Sequence, residues 1–218
     1  MNTAVQKKLG LLPRGFLLVL LAGAGASLYF GLTAALSDAM TMQARWQIAQ
    51  WQSNPLEQPK APDLGRIRND LMSALRWTPA DPQIYENLGY LYGVRANSLH
   101  ALPELEQAML ENSIAYYKTA IALRPMSAHA WANLALALHL KTGQQEAMWS
   151  AYDRAFQYGN REAGVQYILA EVGFSCWEEA GTARQLQLLH LIDTAYPHTK
   201  YTLLKIAQKY GKEDLLGK

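Results

Sequence analysis

One cysteine, Cys176, stands among 218 residues. No disulfide can close within the chain, and no cysteine follows the apolar N-terminal run as a lipid attachment site would require. Cys176 beside Trp177 reads as a small buried residue. The five histidines, His100, His129, His139, His190 and His198, show neither HxxxH nor HExxH spacing. No metal site is therefore expected. There is no glycine-rich phosphate loop and no GxSxG elbow. Glu178 and Glu179 are adjacent and would point apart on a helix, and Glu104 and Glu106 converge no better. No catalytic residue and no cofactor is expected, and the chain reads as a non-enzyme. Strand signals are missing too: there is no sustained apolar/polar alternation and no Asn-Gly or Asp-Gly hairpin.

Charge is absent from residues 15–37. Within that run, FLLVLLAGAGASLYFGLTAAL spans roughly 31 Å as a helix, enough to cross a hydrocarbon core. Lys7, Lys8 and Arg14 precede the run, and Asp38 follows it. The positive-inside rule then puts residues 1–14 in the cytoplasm and the rest across the membrane. A cleaved signal peptide is the rival reading, with small-residue sites at Ala24-Gly25-Ala26 and Ser37-Asp38-Ala39. The uncharged run is longer than a signal core needs, which favours an uncleaved anchor. Ala22/Ala26 and Ser27/Gly31 give small-xxx-small spacings, a face on which two copies of the helix could pair as a homodimer.

All 18 Asp and Glu lie beyond residue 37, and the remaining Lys and Arg nearly balance them. Nucleic acid is not an expected partner, since it demands a concentrated basic stripe. Asp38 to Gln52 continues as a helix, with Met42, Trp46 and Ile48/Ala49 as one face. Trp46 and Trp51 rest either at the lipid interface or on the domain that follows. Pro55, Pro59 and Pro62 then mark a semi-rigid linker that holds the domain off the membrane.

From Asp63 onward a pattern returns about every 35 to 45 residues. Its clearest copy, SIAYYKTAIALRP, leads into AHAWANLALALHL. Tyr85, Leu88, Gly89 and Tyr92 fit the first helix of one unit; Ser113, Tyr117, Ala120 and Pro125 fit its second. The next unit has Trp131, Leu134, Ala135, Leu138, Tyr152 and Ala155. A weaker third has Leu169, Ala170, Gly173, Leu189, Ile192 and Pro197. Ala74, Leu75 and Pro79 form a half unit before them, and a helix with Leu203, Ile206, Ala207 and Tyr210 follows. This pattern resembles the tetratricopeptide repeat, although the first full unit carries about 12 extra residues between its helices.

The expected fold is therefore all-α: an N-terminal transmembrane helix, an α-solenoid of about three such helix-turn-helix repeats, and a C-terminal helix. The expected divisions are a tail at 1–14, a transmembrane helix at 15–37, a juxtamembrane helix and Pro-rich linker at 38–62, and the repeat domain at 63–218. No unit can bury its apolar face alone, so the units must stack and leave a concave surface. The resemblance implies that this groove is lined by the second, fifth, ninth and twelfth positions of each first helix. Those positions are Gln83, Glu86 and Tyr90; His129, Ala132, Leu136 and His139; and Tyr167, Glu171 and Phe174. Asn87 and Asn133 match asparagines of family members that clamp a carboxyl terminus, but the accompanying cations are absent. An extended or helical protein segment with apolar anchors is the expected ligand. The layout implies a scaffold in the inner membrane with its repeats in the periplasm. It would bind protein partners of the cell envelope and serve an exopolysaccharide, secretion or pilus assembly or cytochrome maturation. A periplasmic chaperone-like factor for newly exported chains is the alternative.

Overall fold

The computed structural model describes residues 3–53, 59–141 and 143–216. Pro55 of the linker lies outside the described residues. Among them are nine α-helices and one short 3-10 turn, with no strand. Helix α1 runs unbroken from Thr3 to Ser53. The others are α2 (Ala61–Ala74), α3 (Pro82–Asn97), α4 (Pro103–Leu123), α5 (Ala128–Leu140), α6 (Gln145–Gly159), α7 (Ala163–Ser175), α8 (Gly181–Asp193) and α9 (Pro197–Lys209).

Helix starts follow local chemistry. The Asp81 side chain accepts from the Gln83 amide at 2.9 Å, with Pro82 at the first helical position. The Ser127 hydroxyl accepts from the Ala130 amide at 3.3 Å. Each satisfies a donor that the first turn leaves free. Pro103 and Pro197 open α4 and α9, where a missing N–H costs nothing.

Consecutive helices pair, α3 with α4 and α5 with α6, and the pairs stack. Helices α3, α5, α7 and α9 stand side by side and form one face of the stack. Taking the caps Asp81, Ser127 and Glu162 as origin, equivalent positions hold equivalent residues. Leu88, Leu134 and Leu169 are all buried, as are Gly89, Ala135 and Ala170 one residue on. Four residues into each unit, a side chain donates to a carbonyl in the preceding turn. Tyr85 Oη reaches the Pro79 oxygen at 2.9 Å, Trp131 Nε1 the Pro125 oxygen at 2.8 Å, and Gln166 Nε2 the Asn160 oxygen at 2.7 Å. Gln166 is the member that an aromatic-based pattern misses.

Two positions depart from expectation. The half unit is completed by α1, whose outer part packs against α2. The buried positions of α1 are Thr33, Ser37, Thr41, Ala44, Ile48 and Trp51. They recur every three or four residues, so they form one stripe. Trp51 packs into the core of α2 and α3, whereas Met42 and Trp46 are exposed. The expected Met42/Trp46 face therefore faces outward, because the stripe in phase with Ile48 passes through Ala44 and Trp51. Nor does the domain lead away from α1. Helix α2 returns antiparallel along it, and Ser37 Oγ meets Thr78 Oγ1 at 2.6 Å.

The extra residues of the first full unit lengthen its helices: α3 has 16 residues and α4 has 21, against 13 and 15 in α5 and α6. Glycine sets the α3–α4 approach. The Ser113 hydroxyl donates to the Gly89 carbonyl at 2.8 Å, and a Cβ on Gly89 would meet the Tyr117 ring at 2.9 Å. Gly65 in α2 has nothing within 4 Å of its missing Cβ. Gly89→Val should therefore lower stability by about 1–3 kcal/mol through overpacking. Gly65→Ala should raise it by up to about 1 kcal/mol through helix propensity. Urea unfolding of both variants checks this; equal effects would contradict the α3–α4 contact.

Candidate protein-binding surface

The side chains expected to line the groove sit on α3, α5 and α7, and the structure divides them. Ala132 is fully buried and Phe174 is 2% exposed, so neither is available to a partner. Ala132 is enclosed because α5 is flanked by both α3 and α7. Phe174 stacks on Trp177 at 5.6 Å between ring centres. Family positions place these two in the groove; the packing of this chain puts them in its core.

Four others hold one unit to the next. Glu86 Oε1 accepts from Arg124 Nη2 at 2.6 Å and from the Ser127 hydroxyl at 2.8 Å. Glu171 Oε2 accepts from Lys209 Nζ at 2.8 Å and from the Tyr210 hydroxyl at 2.7 Å. His129 Nε2 lies 3.0 Å from Glu162 Oε2, and its ring closes against Gly164 at the start of α7. Each acid is thus matched by a donor or ring from another element, which leaves the face close to neutral. These half-exposed pairs add little stability but fix the register of neighbouring helices.

His139 is the fourth. Its Nε2 lies 3.1 Å from Ser175 Oγ and its Nδ1 lies 3.3 Å from Cys176 Sγ. Burial lowers its pKa, with Glu171 opposing. Burial raises the Cys176 thiol, against a hydrogen bond from Ser175. Both shifts favour uncharged forms, so the pair is a neutral contact and not an activated thiolate. Cys176 is half-buried.

What remains open on this face is apolar and aromatic. Tyr90, Leu136 and Tyr167 are all half-buried. Burial pushes Tyr90 up to about 12, so its hydroxyl stays protonated. Gln83 is half-buried and donates to Asn87 Oδ1 at 3.4 Å. Asn87 is itself buried, and Asn133 Nδ2 turns back onto the His129 carbonyl at 2.9 Å. Neither asparagine projects as a clamp would require.

A second feature was not legible in the sequence. The lengthened α3 and α4, with the start of α2, enclose a cleft of about 390 Å³ lined by Leu64, Leu91, Tyr92, Leu99, Leu105 and Met109, with Arg68 and Arg95 among its walls. Its signal was the inserted stretch between Tyr92 and Ser113, which shows extra length but not where that length goes.

His139 gives a measurable pH dependence. Its folded-state pKa lies below the ordinary 6.5. The unfolded chain therefore takes up a proton more readily, so this stability is present above about pH 6.5 and lost as pH falls further. The melting temperature should fall on going from about pH 7.5 to pH 5.5, and fall less in His139→Gln. Identical pH slopes in the two proteins would refute the half-buried neutral ring.

No family model and no curated protein matches the sequence. The fold does have a counterpart among solved structures. The crystal structure of a thermophilic TPR protein of Thermus thermophilus superposes with a TM-score of 0.57. The match covers 83% of this chain and 82% of that one, at 18% identity. At that identity the likeness bears on the fold: the chain has the tetratricopeptide-type architecture.

Proposed function

We propose that this protein is a membrane-anchored scaffold that holds another protein at the bilayer surface. The observation that carries the reading is the continuity of α1. Its inner part is uncharged and exposed on all sides from Gly15 to Leu32. Among the described residues it is the one helix long and apolar enough to cross a membrane. Its outer part is the first layer of the helical stack. A partner on the face of α3, α5 and α7 would therefore be held at a set height and orientation. In this reading residues 1–14 are cytoplasmic, residues 15–37 cross the inner membrane, and the repeats work in the periplasm. Residues 38–53 serve as an outer helical layer, and 54–60 join it to α2. Two copies pair through the Ala22/Ala26 face. The pathway is the assembly of an envelope machine for exopolysaccharide, secretion or pili.

The chemistry of the face supports a protein segment with apolar anchors. Tyr90, Leu136 and Tyr167 offer area, and the acids beside them are already paired. The chaperone-like alternative uses the same face but predicts weak capture of many apolar peptides instead of one fixed partner. Two experiments test the proposal. A reporter active only outside the cytoplasm, fused after Lys218, should be active; activity of a cytoplasm-only reporter there would overturn the topology. Leu136→Gln with Tyr167→Ser should leave helicity intact and weaken partner capture about tenfold or more, since such anchors contribute ~2 kcal/mol each. Moderate salt should change capture little, because the anchors carry no charge.

A further inference from the structure

The position of the repeats along α1 carries one more inference. In the antiparallel stack, the turns leading from one unit to the next share an edge: 75–81, 124–127, 160–162 and 194–196. The hydrogen bond between Ser37 and Thr78 sets the height of that edge at the end of the uncharged run. The opposite edge, level with Ser53, lies ~24 Å further along α1 at 1.5 Å per residue. A bilayer adds roughly 5–8 Å of headgroup layer to each side of its hydrocarbon core. The first of these turns therefore reaches the headgroups whenever α1 spans the core.

The residues on this edge match that layer. Trp77 is 48% exposed and Met126 is 74% exposed, with Leu123 beside it at 41%. The turn that carries Met126 is held against α3 by the Glu86 contacts to Arg124 and Ser127, so it sits next to the turn that carries Trp77. Arg76, Arg124 and Arg161 are the cations of these turns and are all exposed, while Asp81 and Glu162 are their acids; Arg124 is paired with Glu86, so Arg76 is the cation that stands beside Trp77. The opposite edge also exposes leucines, Leu102, Leu105 and Leu140, but they lie among Glu104, Glu106, Glu146, Glu178 and Glu179. Glu106 lies beside His100 and Glu178 is paired with Lys212, but the exposed Glu104, Glu146 and Glu179 repel anionic headgroups, whereas indole and arginine are the groups that settle there. The outer end of the apolar run of α1 is divided to match. Thr33 and Ser37 are buried in its protein-facing stripe, while Leu28, Tyr29, Phe30, Leu32 and Leu36 are exposed on its other sides.

We infer that the edge built by the turns at 75–81 and 124–127 rests on the anionic headgroup layer of the membrane that α1 crosses, with Trp77, Leu123 and Met126 in the layer and Arg76 at its phosphates. This rests on the anchor reading above. The repeat domain is then doubly attached, by its helix and by its edge, and its binding face stands upright on the bilayer.

Depth-dependent quenching tests it. The full chain, in a Cys176→Ala background, is reconstituted into vesicles of phosphatidylcholine and phosphatidylglycerol doped with a headgroup-region spin-labelled lipid. A fluorophore is attached at Met126→Cys, at Glu146→Cys on the opposite edge, or at Leu28→Cys in the apolar run. The expected result is loss of about half the emission at the first site, little loss at the second, and strong loss with an acyl-chain quencher at the third. Quenching at Leu28→Cys with equally weak quenching at the other two would overturn the edge contact and leave the anchor standing. No quenching at Leu28→Cys would overturn the anchor, and the edge contact with it. Arg76→Glu with Trp77→Ser should abolish the quenching at Met126→Cys without changing helicity; persistent quenching would place the contact elsewhere.

Discussion

In the anchored reading proposed above, the structure depends on one helix doing two jobs. An apolar span ordinarily ends at the headgroups and passes into a linker, and the domain beyond it then tumbles within the linker's reach. Here α1 continues to Ser53, and its outer half buries Ala44, Ile48 and Trp51 against α2 and α3. Burying apolar side chains of this size contributes about 1.5–3 kcal/mol for each large one, which is ample to hold the first unit on the helix. The order of the stack follows. Helix α2 must return antiparallel, α3 must go out again, and each later unit inherits its height from that first pair.

Neighbouring units are joined by a recurring device. Leucine at the seventh position and glycine or alanine at the eighth bring paired helices close. At Gly89 the gap is filled by the Tyr117 ring, and at Gly173 by Leu188 and the Tyr152 hydroxyl end. The side chain at the fourth position ties each unit to the turn before it. Glu86 and Glu171 then ion-pair with cations that come later in the chain. Small residues permit the approach, packing supplies the energy, and the polar ties set the register.

These packing rules were legible in the sequence because they constrain residue type. Leu88, Gly89, Leu134, Ala135, Leu169 and Ala170 can be read from spacing, since only small or apolar residues survive at such contacts. The candidate surface was less legible. Groove position alone assigned Ala132 and Phe174 to a ligand, but exposure depends on what the neighbouring helix brings. Ala132 lies between two helices and Phe174 beneath Trp177, and neither fact is local in the sequence. The outer stripe of α1 was hidden for a related reason. Thr33, Ser37 and Thr41 are not apolar, so a search for an apolar face settles on Met42 and Trp46 instead.

Their polarity has its own logic. In the membrane-anchored reading proposed above, a stripe leaving the hydrocarbon layer must pack on protein at one side while lipid or water surrounds the rest. Small hydroxyl residues do this without conflict. Thr33 and Thr41 satisfy their own hydroxyls on the helix backbone, at Phe30 and Ser37, and Ser37 spends its hydroxyl on Thr78. Large apolar groups there would bind the domain more tightly but would serve equally well against lipid, leaving nothing to select the protein face. A hydroxyl that finds its partner only at Thr78 makes that face distinct. The two ends of the stripe thus divide the work: Ile48 and Trp51 supply affinity, while Ser37 with Thr78 fixes rotation and height.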